Sequence, residues 1–361
     1  MSISVRLGLV QRVLPAYRVP LFDTLANICP AGLGVFAGQP RPAEMIESGT
    51  LQVARLFPAH NIHLPLSLCW QGGLLRWLEE WQPQVLIVEA NPRYLRTPAA
   101  VRWMSARGRK VIGWGLGAPR SQDSLRGNLR RSFVRQFDAM LTYSQQGADE
   151  YRAAGFPAER IFVAPNAAAP RPVNPPPQRA DAFDHDRATV LFVGRLQARK
   201  RVDLLLRACA ALPAEDQPAL WIVGDGPVRA ELELLARQIY PTTQFFGARR
   251  GSALDPLCDA ADLFALPGTG GLALQQAMSH ALPVMAAEAD GTQADLVRPD
   301  NGWQLVPGSL ESLTNTLAEA LSDPARLRRM GLESYRIVAE EINLERMVDV
   351  FEQAVHAVLE E

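Results

Sequence analysis

The stretch VGRLQARKR, residues 193–201, puts Arg195, Arg199, Lys200 and Arg201 directly after the apolar run RATVLFV. Four cations so close together repel one another, and a polyanion is the chemistry that would offset the repulsion. A guanidinium gripping two oxygens and a nearby ammonium can neutralise a diphosphate without a metal ion, each charge-assisted bond contributing about 1.5–3 kcal/mol. A solvated surface cluster would carry the same residues, so the surroundings decide. Two further turns supply them. ADLFALPGTGGLALQQAM, residues 261–278, runs from a strand pattern into Gly268, Thr269, Gly270 and Gly271, then at Leu272 into a helical pattern. VGDGPVR, residues 223–229, carries Gly224 and Gly226 after another apolar run. Glycines let backbone amides close on a phosphate, and a helix N-terminus adds roughly half a positive charge. With Gly194, these turns are the candidate anion cradle, and Arg195 and Lys200 are the candidate charge stabilisers.

Such turns need strands to present them, and in an open α/β sheet ligands collect outside the carboxyl ends of the strands. The runs ISVRLGLV, QVLIVEA, KVIGWGL, AMLTYS and RIFVAP, separated by helix-like sequence, predict a parallel α/β sheet in the first half. Residues 165–186 carry six prolines and no apolar period, which suits an extended linker. The alternation restarts with ATVLFVGR, ALWIVGDG, TTQFFGA, DLFALPG and LPVMAA, which predicts a second doubly wound domain. In NLERMVDVFEQAVHAVL the apolar residues Leu344, Met347, Val348, Phe351, Val355 and Val358 recur at helical spacing. The expected organisation is therefore a Rossmann-like domain over 1–170, a proline-rich linker over 171–187, a second domain over 188–340, and a helix over 341–361 that crosses back to the first domain. Two such domains facing each other create a cleft.

A length of 361 residues fits two domains at about 150 residues each. Hydrophobic residues make up 48% and charged residues 21%, with a net charge of −1, so the composition is that of a folded globular protein. The balanced charge, with no recognisable module, excludes nucleic acid as the expected partner. Cys29, Cys69, Cys209 and Cys258 lie far apart without a CxxC pair, which points to reduced thiols and to neither zinc nor a disulfide framework. No apolar run approaches the roughly 18 residues of a membrane span, and the first residues lack the pattern of a signal peptide, so a cytoplasmic protein is expected. His60, His63, His185, His280 and His356 show no ligand spacing, and Asp184–Asp186 reads as solvated linker, so no metal and no cofactor are expected. GWGLGAP lacks the rest of a dinucleotide fingerprint and reads as a turn whose glycines permit close ligand approach. SLRGNLRRSFVRQF, residues 124–137, sets Leu125, Leu129, Phe133 and Phe137 among Arg126, Arg130, Arg131 and Arg135. That stripe fits peripheral contact with an anionic membrane and equally a helix packed on a sheet with a solvated basic side.

VLFVGRLQARKRVDLLLRA, LWIVGDGPVRAELELLA, FFG, DLFALPGTGGLALQQAMSHALPV and NGWQLVPG, in this order and spacing, resemble the C-terminal donor domain of GT-B glycosyltransferases of the family 4 type, over residues 188–340. VQRVLPAYRVPLFDTLA, and LTYSQQGADEY followed by IFVAPNA, are similar to the N-terminal acceptor domain of the same family. The resemblance implies the GT-B fold, two Rossmann-like doubly wound domains with a cleft between them. It also implies metal-independent transfer of a sugar, with retention, from a nucleotide-diphosphate sugar to a glycan or lipid-linked acceptor hydroxyl in polysaccharide or glycolipid synthesis. Arg195 and Lys200 match the family's diphosphate ligands. The resemblance further implies that the turns at Gly194, Gly224, Gly226 and Gly268–Leu272, Thr269 among them, form the donor cradle, with Gln276 on the ribose. Arg12, Tyr17 and Arg18, around VLPAY after the first strand, are the acceptor candidates. The sequence departs from the pattern at several places. The family's two glutamates, seven residues apart, are replaced by Gly268 and Gln276, Arg201 stands where a glycine is common, and Leu116 stands where many relatives have a histidine. An amide at 276 can still bond a ribose hydroxyl. The rival on this scaffold is a non-catalytic nucleotide-sugar-binding or regulatory protein that lost its chemistry with the glutamates. A nucleotide-sugar epimerase would need acid/base carboxylates or histidines in the cleft, and the sequence offers no good candidates.

Overall fold

The computed structural model describes residues 2–44, 46–118, 131–183, 187–287 and 292–360. The chain forms two compact units, Met1–Ala168 with Leu344–Glu361, and Ala169–Asn343. The strands of the first are β1 (Leu7–Val13), β2 (Leu33–Gly38), β3 (Arg55–Pro58), β4 (His60–His63), β5 (Cys69–Gly72), β6 (Val85–Glu89), β7 (Lys110–Gly115), β8 (Ala139–Thr142) and β9 (Ile161–Val163). Seven of them form a parallel sheet in the order β3-β2-β1-β6-β7-β8-β9, while β4 and β5 pair antiparallel as a separate hairpin. The strands of the second unit are β10 (Thr189–Val193), β11 (Ala219–Val223), β12 (Gln244–Gly247), β13 (Leu263–Leu266), β14 (Val284–Ala287) and β15 (Gly302–Leu305). They form one parallel sheet in the order β12-β11-β10-β13-β14-β15. Strands covered by helices on both faces read as unbroken apolar runs, which is why VLIVE, TVLFV and LFAL were legible.

Two features escape that pattern. β2, LGVFAG, is diluted by glycine, and the reason is packing: a Cβ on Gly34 would stand 2.6 Å from the Trp81 indole, which fills the space instead. The β4–β5 hairpin has no Asn-Gly or Asp-Gly signal. Its turn is a short 3-10 segment, Pro65–Ser67.

The C-terminal helix, Leu344–Leu359, buries Met347, Phe351, Val355 and Val358 in the core of the first unit, with Phe351 edge-on to Trp114 at 4.9 Å. The proline-rich segment has no regular structure but belongs to the second unit and is docked on it. Arg179 donates to the carbonyls of Cys258, Ala261 and Ala281, and Arg328 donates to those of Ala180 and Ala182. Asp184–Asp186 lies outside the described residues, as do residues 124–130 of the basic stripe. Further along that stripe Val134 and Phe137 are buried in the core of the first unit. GWGLGAP needs correction. The space beside Gly115 and Gly117 is taken by Tyr151 Oη and Glu150, so these glycines admit the helix Gln145–Ala153 rather than a ligand.

Candidate functional site

In the second unit the chain winds outward in opposite directions from β10 and β13, which lie side by side with Leu191 opposite Phe264. The loops leaving these two strands are Gly194–Arg201 and Pro267–Gly271, so the cationic turn and the glycine-rich turn meet at the switch point of the sheet. Hydrogen bonds join them: the Thr269 amide donates to the Arg199 carbonyl at 3.0 Å, and the Arg199 guanidinium donates to Thr269 Oγ1 at 2.8 Å. The approach is so close that a Cβ on Gly268 would lie 2.2 Å from the Arg199 carbonyl oxygen and 2.6 Å from Lys200 Cα. No glutamate fits there without moving the cationic loop, which accounts for the first departure from the family pattern. The second is explained too. Arg201 has φ +53, a left-handed backbone that suits glycine, and its guanidinium is anchored on Asp203 at 3.1 Å.

Lys200 carries the electrostatic signal of this turn. Its ammonium stands where a Cβ on Gly270 would be, 2.2 Å from that position, and Gly270 has φ +138. Burial, with the Arg199 charge adding to it, pushes the ammonium down to about 8. Among the described residues no carboxylate pairs with it. Gln293, itself buried, fixes the loop by donating to the Gly270 carbonyl at 3.1 Å. The helix Leu272–Ser279 then begins at Gly271 with no side-chain cap, so its first amides are not taken by a side chain of the N-cap residue.

Arg195 leaves the other end of the cationic loop and is exposed. It lines a depression of about 750 Å³ with Gly194, Gly224, Asp225, Gly226 and Gln276. The glycines there are tight for protein, not ligand, reasons: a Cβ on Gly224 would meet the Gly194 carbonyl oxygen at 1.9 Å, and one on Gly226 the Leu196 oxygen at 2.2 Å. The same depression is lined by Arg249 and Arg250, which sequence reasoning missed. Their signal was present: they come two and three residues after the end of β12, as Arg195 comes two residues after the end of β10, cations just past a strand and close to a glycine.

The first unit has its own switch point, between β1 and β6. Glu89, the last residue of β6, accepts a hydrogen bond from the Arg12 amide on β1, and the Arg12 guanidinium pairs with Glu44 at 2.9 Å. Burial pushes the Glu89 carboxyl up to about 7, against the pull of the Arg12 amide and of the Arg12 and Arg18 charges. Glu44, although burial works the other way, is held down at about 2 by hydrogen bonds from Arg12 and Arg41. Tyr94 lies beside Arg12 and Glu89, and burial raises its phenol. Tyr17 is 43% exposed. Arg18 is 4% exposed: it donates to Asn166 Oδ1 at 2.8 Å and stands over the rings of Tyr17, Trp114 and Tyr143. Its charge is therefore engaged inside the protein, where it ties Asn166 to the aromatic cluster.

The family model described as glycosyl transferases group 1 matches residues 177–336, and that described as glycosyl transferase 4-like domain matches residues 10–167. A GDP-mannose-dependent alpha-mannosyltransferase of Mycolicibacterium smegmatis is 40% identical over 116 residues, covering 31% of this chain and 28% of that protein. An alpha-D-kanosaminyltransferase of Streptomyces kanamyceticus is 25% identical over 227 residues, covering 59% of each. The chain thus spans only part of the curated relatives it matches. Anabaena HepE, solved in complex with UDP, shares the fold at a TM-score of 0.68 and 15% identity, with 99% of this chain and 100% of that chain covered. Both halves are matched in chain order, each to a glycosyltransferase domain, and the whole fold is shared with a nucleotide-bound neighbour. The chain belongs to the group 1 glycosyltransferases of the GT-B fold.

Proposed function

We propose that the protein is a retaining glycosyltransferase that moves a sugar from a nucleotide-diphosphate sugar to an acceptor hydroxyl in polysaccharide or glycolipid synthesis. The observation that carries this reading is Lys200, a desolvated ammonium held over the Gly270 turn with no carboxylate partner among the described residues. Such a group is costly to maintain unless an anion completes it. As the bond between the anomeric carbon and the diphosphate breaks, negative charge grows on the leaving oxygens. Lys200 stabilises that charge from one side and Arg195 from the depression, while the amides of Gly270, Gly271 and Leu272 supply fixed dipoles. These groups do the neutralising that a metal ion does in other transferases, so the transfer is read as metal-independent. Gln276, in the wall of the depression, is the ribose contact, and the guanidinium groups of Arg249 and Arg250 add to the field around the nucleotide. In the first unit, Arg12, Tyr17 and Glu89 are the acceptor contacts, with Glu89 receiving the proton side of an acceptor hydroxyl. The UDP in HepE and the GDP-mannose dependence of the mycobacterial relative support a nucleoside diphosphate donor without choosing the base.

A thermal-shift screen against UDP-, GDP-, ADP- and CMP-linked sugars tests this. A donor at a hundred times its dissociation constant stabilises by about 2.7 kcal/mol, and CMP-sugars, with one phosphate, serve as the control. Absence of a shift with every diphosphate donor would sink the reading. A second reading, a nucleotide-binding protein without turnover, is favoured by the closed space at Gly268, where no sugar-binding carboxylate fits. A donor that stabilises the protein but is neither transferred nor hydrolysed across an acceptor panel would select it.

A further inference from the structure

The β4–β5 hairpin shows apolar side chains to solvent where the fold gains nothing from them. Ile62 and Trp70 are directly opposed across the two strands and both are exposed, Leu64 follows β4, and Leu66 at the tip is 86% exposed. Leu66 and Ser67 both have φ +60, a backbone region that glycine or asparagine would occupy at lower cost. Left-handed backbone in a leucine, spent on a side chain that touches almost no protein, is an outlier that intramolecular packing does not explain. The carboxylates that act on the hairpin's His63 and Cys69, Glu44 and Glu89, are both bonded to Arg12 on β1, and the local sequence adds none. Residues 48–78 contain no Asp or Glu. The adjoining segment, bonded to the hairpin through the Cys69 amide and the Arg93 carbonyl, adds exposed Leu95 and Arg93. Arg96 stacks on Trp70, its guanidinium 4.7 Å from the ring centroid. Among the described residues neither arginine pairs with a carboxylate. The opposite face of the hairpin is tied down: Asn61 donates to the Arg12 carbonyl at 2.7 Å and Gln71 to the Gln11 carbonyl at 3.0 Å.

We propose that this hairpin is a membrane-docking element that seats the first unit on an anionic bilayer, with Leu64 and Leu66 entering the acyl boundary and Trp70, Arg93 and Arg96 at the headgroup level. A projecting apolar tip beside an indole and two guanidiniums that no carboxylate among the described residues pairs complements a surface that is negative outside and apolar beneath. Among the described residues no helix is long and apolar enough to cross a membrane, so the contact is one that lies on the bilayer. Because the hairpin is bonded to the end of β1, docking would bring the Arg12 and Glu89 group up to the lipid surface. The proposal does not depend on the transferase reading.

The full chain is floated with vesicles of phosphatidylcholine alone and of phosphatidylcholine mixed with phosphatidylglycerol. The wild type is expected to float with the mixed vesicles and to lose most of that binding without the anionic lipid. Leu64→Ser with Leu66→Asn should weaken partitioning about tenfold or more. Since asparagine tolerates φ +60 better than leucine, the thermal midpoint should be unchanged or raised, which separates docking from folding. Brominated lipid should quench the wild type more than a Trp70→Phe variant. A wild type that does not float overturns the proposal. So does undiminished flotation of the double variant, the result expected if the basic stripe over 124–137 made the contact instead. A dimer in gel filtration that the double variant abolishes, with no lipid binding, would assign the patch to a second copy and also overturn it.

Discussion

The two units share a winding rule and differ in what it places at the reversal. At β10 and β13 the sheet ends in a lysine that no carboxylate among the described residues pairs, glycine amides and exposed arginines, an assembly in which positive charge is in surplus among the described residues. At β1 and β6 it ends in cations already answered from within, Arg12 by Glu44 and by Glu89, and Arg18 by Asn166 and an aromatic cage. A surplus asks for an anion, whereas a compensated group suits a neutral partner rich in hydroxyls, because it offers donors and acceptors together. One architecture thus yields two chemistries through the residues in the loops alone.

The largest expected effect bears on the surplus. Lys200→Ala should lower turnover by about a hundredfold or more while leaving the fold intact, and near-normal turnover of the folded variant would erase the distinction between the two ends. The charge should also be visible in pH. Lys200 in the free protein titrates at about 8, below its ordinary value. Its charged form therefore costs stability below that pH, and diphosphate binding, which favours the charged form, draws a proton in. Nucleotide affinity is expected to fall as pH rises above about 8, by up to roughly tenfold per pH unit, with proton uptake in calorimetry across buffers of different ionisation enthalpy. A pH-independent affinity would show that the ammonium does not meet the ligand.

Glu89→Gln probes the compensated end. It should raise the acceptor KM about tenfold with little change in nucleotide affinity, whereas equal loss of both would blur the comparison. Its stability signature has a definite sign. The folded carboxyl titrates at about 7, above its ordinary value, so the stability it contributes is complete at pH 4 and lost as pH rises through 7. The thermal midpoint of the glutamine variant relative to wild type should therefore climb over that interval. The smallest effect is expected at Arg201→Gly, which relieves the left-handed backbone but removes the Asp203 ion pair, leaving a net change within about 1 kcal/mol by chemical denaturation. A much larger loss would mean that the guanidinium serves the cradle.

What could be read from the sequence follows this division. Lys200, Gly268 and Gly270 belong to local patterns, a strand followed by cations or glycines, and the structure joins them at one switch point. Arg249 and Arg250 carried the same pattern after a weaker strand and were passed over. Glu89 was not legible, because its meaning comes from Arg12, 77 positions away, and from burial that no local window reveals. Arg18 reads in the sequence as an acceptor candidate after a strand, and only the fold brings Tyr143, Asn166 and the C-terminal helix around it. The hairpin lacked a turn signal because its tip is built from residues that fit the left-handed region poorly.

The C-terminal helix has a temporal consequence. Met347, Phe351, Val355 and Val358 fill the first unit's core, yet they are translated after the whole of the second unit. On the ribosome the later half can therefore close its own core first, while the earlier half waits for the last residues to emerge. Until then its unfilled apolar face, around Trp114, stays open to chaperones.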